Sequence, residues 1–185
     1  MKPPPPEKTR RAPAPKPPAA PKVPVAPVRR VGVIALVGRP NVGKSTLINA
    51  LVGESLSIVT PKPETTRDRV TAVVTRPLGL DAQLVLQDSP GIHKPVRKLG
   101  EYMNSEARNA AEDADVVLMV VDASEGMPGV TRESHVLDAV AGVTKPVVLA
   151  VNKVDRVHPK EALLPLMEAY AKLREFATVI PVSAE

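Results

Sequence analysis

The chain has 185 residues, 43% of them hydrophobic, which is enough for one domain with a sizeable core but crowded for two. Because it contains no cysteine, a disulfide framework, a thiolate zinc site and a cysteine nucleophile are all excluded. Its apolar runs are far shorter than the roughly 20 residues of a membrane-spanning helix, and its formal charge of +5 is unevenly distributed.

The basic excess lies at the N-terminus. Residues 1–30 contain eight Lys or Arg and only one acidic residue, Glu7, whereas the remainder has a net charge of −2. The same segment holds 11 of the 22 prolines and no glycine, and proline lacks a backbone N–H and fixes φ. We therefore predict a disordered, proline-rich tail over 1–30. We interpret it as a solvated arm, and a basic arm that contacts RNA or anionic lipid is the alternative.

From residue 31 onward, apolar runs alternate with helical patterns. Residues 31–37 form a β-branched run that predicts a buried strand, and similar runs lie at 116–122, 146–152 and 178–183. Two helical faces are predicted between them, one made of Leu99, Met103, Ala107, Ala110 and Ala114, the other of Leu163, Met167, Tyr170 and Leu173. This alternation predicts one α/β domain over 31–185, with a mostly parallel sheet covered on both faces.

One interval breaks the alternation. Residues 70–77 and 82–88 are both strand-like, and the four residues between them are enough only for a hairpin. We therefore predict a mixed six-stranded sheet with one antiparallel strand at its edge.

The first predicted strand is followed by GRPNVGKS, residues 38–45, which fits the phosphate-binding pattern G-x-x-x-x-G-K-[ST]. Glycines let successive backbone N–H groups surround an anion, and the following helix N-terminus favours negative charge. Lys44 is expected to reach the β- and γ-phosphates, and Ser45 to place its hydroxyl on Mg²⁺. The predicted phosphate-binding residues are Gly38, Arg39, Pro40, Asn41, Val42, Gly43, Lys44, Ser45 and Thr46.

A second motif, DSPG, residues 88–91, begins at Asp88, the last residue of a predicted strand. In this position Asp88 is expected to hold Mg²⁺ through water, and the Gly91 N–H to meet the γ-phosphate. The next residue, where such hydrolases often carry a water-orienting glutamine, is Ile92. An isoleucine side chain cannot orient or deprotonate water, so we expect it to pack within the loop. His93 is a weaker candidate for water positioning, with packing or capping as the alternative.

The motif NKVD, residues 152–155, follows a strand at the edge where open α/β sheets bind ligands. A carboxylate can accept hydrogen bonds from N1–H and the 2-amino group of guanine, whereas adenine offers neither donor. We therefore expect Asp155, with Asn152 and Lys153 beside it, to select guanine.

The order GRPNVGKS, TTR, DSPG, NKVD and a final SAE resembles that of the translation-factor-type GTPases. More narrowly, PETTRDR (63–69) and DSPGIHKPVRKLGEYMN (88–104) resemble the Era family. The resemblance implies a Ras-like P-loop three-layer sandwich that binds GTP, GDP and Mg²⁺ and hydrolyses GTP slowly. It also implies a role in maturing the small ribosomal subunit and its 16S-type rRNA, in a cytoplasmic monomer with peripheral contact at the inner membrane face.

The same resemblance assigns further site residues. It makes Thr66 the Mg²⁺-sensing threonine, with Thr65 as the alternative, so that the predicted catalytic set is Lys44, Thr66, Asp88 and Gly91. Ser183 and Ala184 become the last guanine contact, and a switch loop is expected from Ser89 to about Met103.

The resemblance also implies that the hydrophobic residue after the glycine swings away from the phosphates. In several relatives that share the P-N-V-G-K-[ST] run, the asparagine helps to bind K⁺ where an arginine finger would otherwise supply charge. We therefore expect Asn41 to bind K⁺, with a loop-shaping role as the alternative.

There are also departures from the Era pattern. Ser89 stands where Era proteins usually have threonine, and the chain stops directly after the SAE triplet. Era proteins continue into another helix and a KH-type RNA-binding domain with a GXXG loop, so we expect a shortened chain. Two alternatives remain: a catalytically incompetent guanine-nucleotide module tethered by its basic tail, and one G domain of a Der-type GTPase. TTRDR partly suits the latter, but HKPVRKLGEYMN favours Era.

Overall fold

The computed structural model describes residues 30–53, 70–75, 81–93 and 98–184. Residues 1–29 of the predicted tail and both switch threonines, Thr65 and Thr66, lie outside these ranges. The predicted tail is wrong at Arg30, which is the first residue of a strand paired within the sheet. No helix within the described ranges is long and apolar enough to cross a membrane.

In the described part of the chain, six strands form a single sheet in the order β2-β3-β1-β4-β5-β6. The strands are β1 Arg30–Val37, β2 Val70–Thr75, β3 Ala82–Asp88, β4 Val116–Asp122, β5 Val147–Asn152 and β6 Thr178–Pro181. All neighbours pair in parallel except β2, which runs antiparallel to β3 at the edge of the sheet. The predicted mixed six-stranded sheet is therefore confirmed.

Within the described ranges the α-helices are α1 Lys44–Val52, α2 Lys98–Asp113, α3 Val130–Val140 and α4 Leu163–Ala171. The predicted loop from Ser89 to Met103 is wrong from residue 98 onward, because α2 has already begun there. Helix α3 was not assigned from sequence. Among the side chains that the structure describes, its buried apolar residues are Val136, Ala139 and Val140, which span too few positions to show a helical period.

Helices cover both faces of the sheet, which makes three layers. Side chains of β4 alternate between the faces, with Met119 on one side and Val120 on the other. Val120 packs in the same cluster as Ile48 of α1, whereas Met119 packs with residues of α2, α3 and α4. On α4 the most deeply buried side chains are Leu166 and Tyr170, so Leu166 is a core residue that the predicted face had omitted.

The register of the strands brings three motifs to one edge. In the pairing of β1 with β3, Leu36 lies beside Asp88, and in that of β4 with β5, Asp122 lies beside Asn152. Since these strands are parallel, the chain leaves β1, β3, β4 and β5 at the same edge. The phosphate loop, DSPG and NKVD therefore meet there, although more than 100 residues separate the first from the last.

Candidate functional site

The phosphate loop connects β1 to α1 and contains two left-handed residues. Asn41 has φ 63° and Gly43 has φ 98°. A Cβ on Gly43 would lie 2.3 Å from Asn152 Nδ2, so both its backbone angle and the space around it require glycine. Such turns direct successive N–H groups into a concavity that fits an anion, at the start of a helix that favours one. The loop therefore suits the phosphates predicted for it.

Lys44 begins α1 and is buried. Its Nζ donates hydrogen bonds to the carbonyl oxygens of Gly38, at 3.2 Å, and Arg39, at 3.1 Å. Burial lowers the pKa of Lys44 to about 8, although the charge of Asp88 partly opposes this. Phosphate oxygens beside the amine would favour its charged form.

Ser45 and Asp88 lie close enough to share a cation. Asp88 is fully buried, and Ser45 Oγ donates to its Oδ2 at 2.5 Å. A hydroxyl and a carboxylate oxygen are the ligands that Mg²⁺ prefers. Mg²⁺ commonly takes its other ligands from water and phosphate.

The NKVD loop is bonded directly to the phosphate loop. Asn152 donates through Nδ2 to the Val42 carbonyl at 2.9 Å, and Lys153 Nζ donates to the Asn41 carbonyl at 2.7 Å. Lys153 also forms a 2.6 Å ion pair with Asp122, which ends β4. Burial alone would raise the pKa of Asp122, but hydrogen bonds from Lys153 and Ser124 outweigh it and lower the pKa. Sequence reasoning missed Asp122, although it ends a strand just as Asp88 does.

Asp155 and Ser183 are brought together from different loops. Ser183 Oγ donates to Asp155 Oδ1 at 2.7 Å, and this bond is the main cause of the lowered pKa of Asp155. The next residue, Ala184, packs against the cluster on the α1 side of the sheet. The two predicted base-recognition segments therefore adjoin one another.

The DSPG loop packs closely against the phosphate loop. A Cβ on Gly91 would lie 2.7 Å from Pro40 N, and Ile92 donates its N–H to the Gly38 carbonyl at 3.0 Å. The Ile92 side chain is 1% exposed and belongs to the core cluster. It points into the protein, as its predicted packing role requires. The ring of His93 is engaged locally, with Nδ1 at 3.0 Å from the Gly91 carbonyl oxygen.

Arg39 differs from its neighbours in the phosphate loop, because its guanidinium is directed towards α3. It pairs with Glu125 and lies 3.8 Å from Glu133, which is 2% exposed. Burial raises the pKa of Glu133 despite the two arginines beside it, Arg39 and Arg132. Of the other predicted residues, Thr46 is a half-buried residue of α1, and Thr66 lies outside the described ranges.

A family model described as "50S ribosome-binding GTPase" matches residues 33–153, from β1 into the NKVD motif. The chain belongs to this GTPase family. The match includes the phosphate loop, DSPG and the first two residues of NKVD, Asn152 and Lys153.

Solved structures narrow the relationship within the family. The chain is similar to Era in complex with MgGDPNP and nucleotides 1506–1542 of 16S ribosomal RNA, with 40% identity and a TM-score of 0.76, covering 84% of this chain and 51% of that one. A variant of Era from Aquifex aeolicus bound to GDP and AlF4− gives 40% identity and a TM-score of 0.75, covering 84% and 52%. Elongation factor SelB from Methanococcus maripaludis, at 22% identity, TM-score 0.61 and coverage of 84% and 30%, shares the fold alone. The chain spans about half the length of these Era chains, and the predicted resemblance to the Era G domain is confirmed.

Proposed function

We propose that this chain binds GTP with Mg²⁺ and hydrolyses it to GDP and phosphate. The observation that carries the proposal is the meeting of three motifs at one sheet edge, joined by the Ser45–Asp88 and Asn152–Val42 hydrogen bonds. Similarity to Era structures holding MgGDPNP, or GDP with AlF4−, supports the same conclusion. The prediction of a GTP-hydrolysing enzyme therefore has support from both the site and the relatives.

The chain's own groups have distinct roles in this proposal. Backbone N–H groups of the phosphate loop bind the phosphates, and Lys44 places a positive charge beside them. Ser45 and Asp88 are the residues that would hold Mg²⁺, which when bound neutralises charge on the phosphates. The Gly91 N–H is assigned to the γ-phosphate.

Base selection falls to the second half of the site. Asp155 accepts hydrogen bonds from guanine N1–H and the 2-amino group, and Ser183 holds the carboxylate in place. The Asp155 carboxylate is ionised at neutral pH and can accept both bonds, and the hydrogen bond from Ser183 lowers its pKa further. Asn152 and Lys153 tie this recognition loop to the phosphate loop.

A titration with fluorescent GDP, with fluorescent ADP as the comparison, tests the binding proposal in the presence of Mg²⁺. We expect tight GDP binding and weak ADP binding. Lys44→Met should abolish the GDP signal, whereas Lys172→Met, which alters an exposed lysine of the loop after α4, should leave it unchanged. Equal affinity for GDP and ADP, or no binding of either, would overturn the assignment.

Hydrolysis requires a separate measurement, because a binding module without turnover would pass the titration. Phosphoryl transfer depends mainly on alignment and on neutralisation of phosphate charge, so the absence of a polar side chain at Ile92 does not prevent it. We expect slow multiple-turnover phosphate release. Tight GDP binding without any turnover would favour the catalytically incompetent alternative.

We also propose that K⁺ assists hydrolysis through Asn41. This side chain is exposed and belongs to a left-handed residue of the phosphate loop, next to where the phosphates are expected. Replacing K⁺ by Na⁺ at constant ionic strength should slow phosphate release, and Asn41→Ala should remove the difference between the two cations. Equal rates in K⁺ and Na⁺ with the unaltered chain would refute the idea.

The cellular role is proposed from the relatives. Era is described in complex with a 16S ribosomal RNA segment, whereas the family model is described by the 50S ribosome. Since Era is 40% identical over the shared part, we propose a role on the small subunit. Co-sedimentation of the chain with separated 30S and 50S subunits, in GDP and in a GTP analogue, distinguishes the two. Binding to 50S alone would contradict the proposal.

A further inference from the structure

Asn104 of α2 bonds with both backbone polar groups of His93. Its Oδ1 accepts the His93 N–H at 3.2 Å, and its Nδ2 donates to the His93 carbonyl at 2.7 Å. The Asn104 residue is only 8% exposed, so water competes little for these bonds. One side chain therefore acts on the loop as a neighbouring strand would.

This pairing requires a primary amide on a short side chain. The amide presents one acceptor and one donor in a plane, which matches a backbone N–H and C=O pair. Aspartate could accept but not donate, and an apolar side chain of similar size could do neither. In a buried position, leaving either backbone group without a partner is costly.

His93, which Asn104 clamps through these two hydrogen bonds, is next to the part of the DSPG loop that contacts the phosphate loop. Gly91 packs against Pro40, and the Ile92 N–H bonds with the Gly38 carbonyl. Helix α2 is itself fixed in the core by Met103 and Ala107, which are both 0% exposed. The core therefore holds His93 in place, and His93 restricts where Gly91 can be.

We propose that Asn104 is a positioning residue that holds the Gly91 N–H in place for the γ-phosphate. This inference rests on the proposed function, since it assumes that GTP occupies the site. The proposal predicts different effects on two ligands, because GTP binding uses the Gly91 contact and GDP, which has no γ-phosphate, does not.

The test compares Asn104→Ala and Asn104→Asp with Asn109→Ala, which changes an exposed asparagine of the same helix. For Asn104→Ala we expect GDP affinity within about twofold of the unaltered chain. Affinity for a non-hydrolysable GTP analogue and single-turnover hydrolysis should each fall about tenfold, which corresponds to about 1.4 kcal/mol. Asn104→Asp should lose at least as much as Asn104→Ala, because its carboxylate cannot donate to the His93 carbonyl and would face that oxygen in a buried position.

Two outcomes would overturn the inference. Equal losses of GDP and analogue affinity would mean that Asn104 supports the site as a whole, and unchanged analogue affinity would mean that the clamp does not act on Gly91.

Amide hydrogen exchange measured without nucleotide tests the contact itself. The His93 amide should be protected in the unaltered chain and in Asn109→Ala, and should exchange at least about tenfold faster in Asn104→Ala.

The exchange result also distinguishes failure of the clamp from failure of the proposed function. If the unaltered chain binds no guanine nucleotide, the proposed function fails and the γ-phosphate role of Asn104 fails with it. If it binds GDP but the His93 amide exchanges rapidly in the unaltered chain, only the clamp is refuted.

Discussion

Replacing Ile92 by glutamine tests whether this side chain takes part in hydrolysis. The change introduces the water-orienting residue of other nucleotide hydrolases at a position that is 1% exposed and packed in the core. Burying an isoleucine contributes about 1.5–3 kcal/mol, and a buried amide without partners costs about 1–3 kcal/mol. We therefore expect Ile92→Gln to lower the free energy of unfolding by about 2.5–6 kcal/mol, a large part of the roughly 5–15 kcal/mol typical of a domain.

Urea unfolding at saturating GDP measures this loss as a shift in the midpoint at constant slope. Ile92→Val is the matched control, and it should cost only about 0.5–1.5 kcal/mol because it removes a single methyl group. Phosphate release per folded molecule should be no faster in Ile92→Gln than in the unaltered chain. A variant destabilised by less than about 1 kcal/mol that hydrolyses GTP tenfold faster would refute the reasoning, since its side chain would then reach the phosphates.

Three further predictions concern the nucleotide site. Because burial lowers the pKa of Lys44 to about 8, its ammonium loses a proton as pH rises through that value. Side-chain NMR should show a Lys44 titration midpoint near 8 that GDP raises, and a midpoint near 10.5 in the nucleotide-free chain would contradict this. Gly43→Ala places a Cβ 2.3 Å from Asn152 Nδ2 at a positive φ, and the strain and lost hydrogen bonding should cost about 2 kcal/mol or more. GDP affinity in the fluorescence titration should therefore fall at least about thirtyfold, whereas Gly142→Ala, with open space at its Cβ, should bind GDP normally. Asp155→Asn can donate to the 2-oxygen of xanthine but cannot accept twice from guanine; calorimetry should show about a hundredfold loss for GDP and a gain for xanthosine diphosphate, and unchanged GDP affinity would remove Asp155 from base recognition.

Much of the sheet could be predicted because its signal is local. The run at 116–122 is β-branched and apolar and becomes β4, and the short link after residue 77 indicated the antiparallel edge strand. The predicted face at 99–114 follows α2 within one residue at each end. Helix α3 was missed for the opposite reason, since its apolar positions are too few to show a period of 3.6 residues.

The phosphate and base motifs were found because their chemistry lies in contiguous residues. Phosphate binding needs backbone angles that glycine supplies locally, and Gly43 with its φ of 98° bears this out. Their meeting at one edge was also predictable, because parallel strands place their carboxyl ends together.

What the sequence by itself determined is therefore the fold class, the guanine and phosphate motifs and their shared edge. Only the tertiary structure decided the contacts between distant residues: Lys153 with Asp122 across β4 and β5, Arg39 with Glu133 of α3, and Asn104 with the His93 backbone. None of these pairs has a fixed sequence spacing, because each depends on how a helix or neighbouring strand packs against a loop. The inward direction of the Ile92 side chain also depends on packing, because the core cluster removes its apolar surface from water and a polar phosphate site would not.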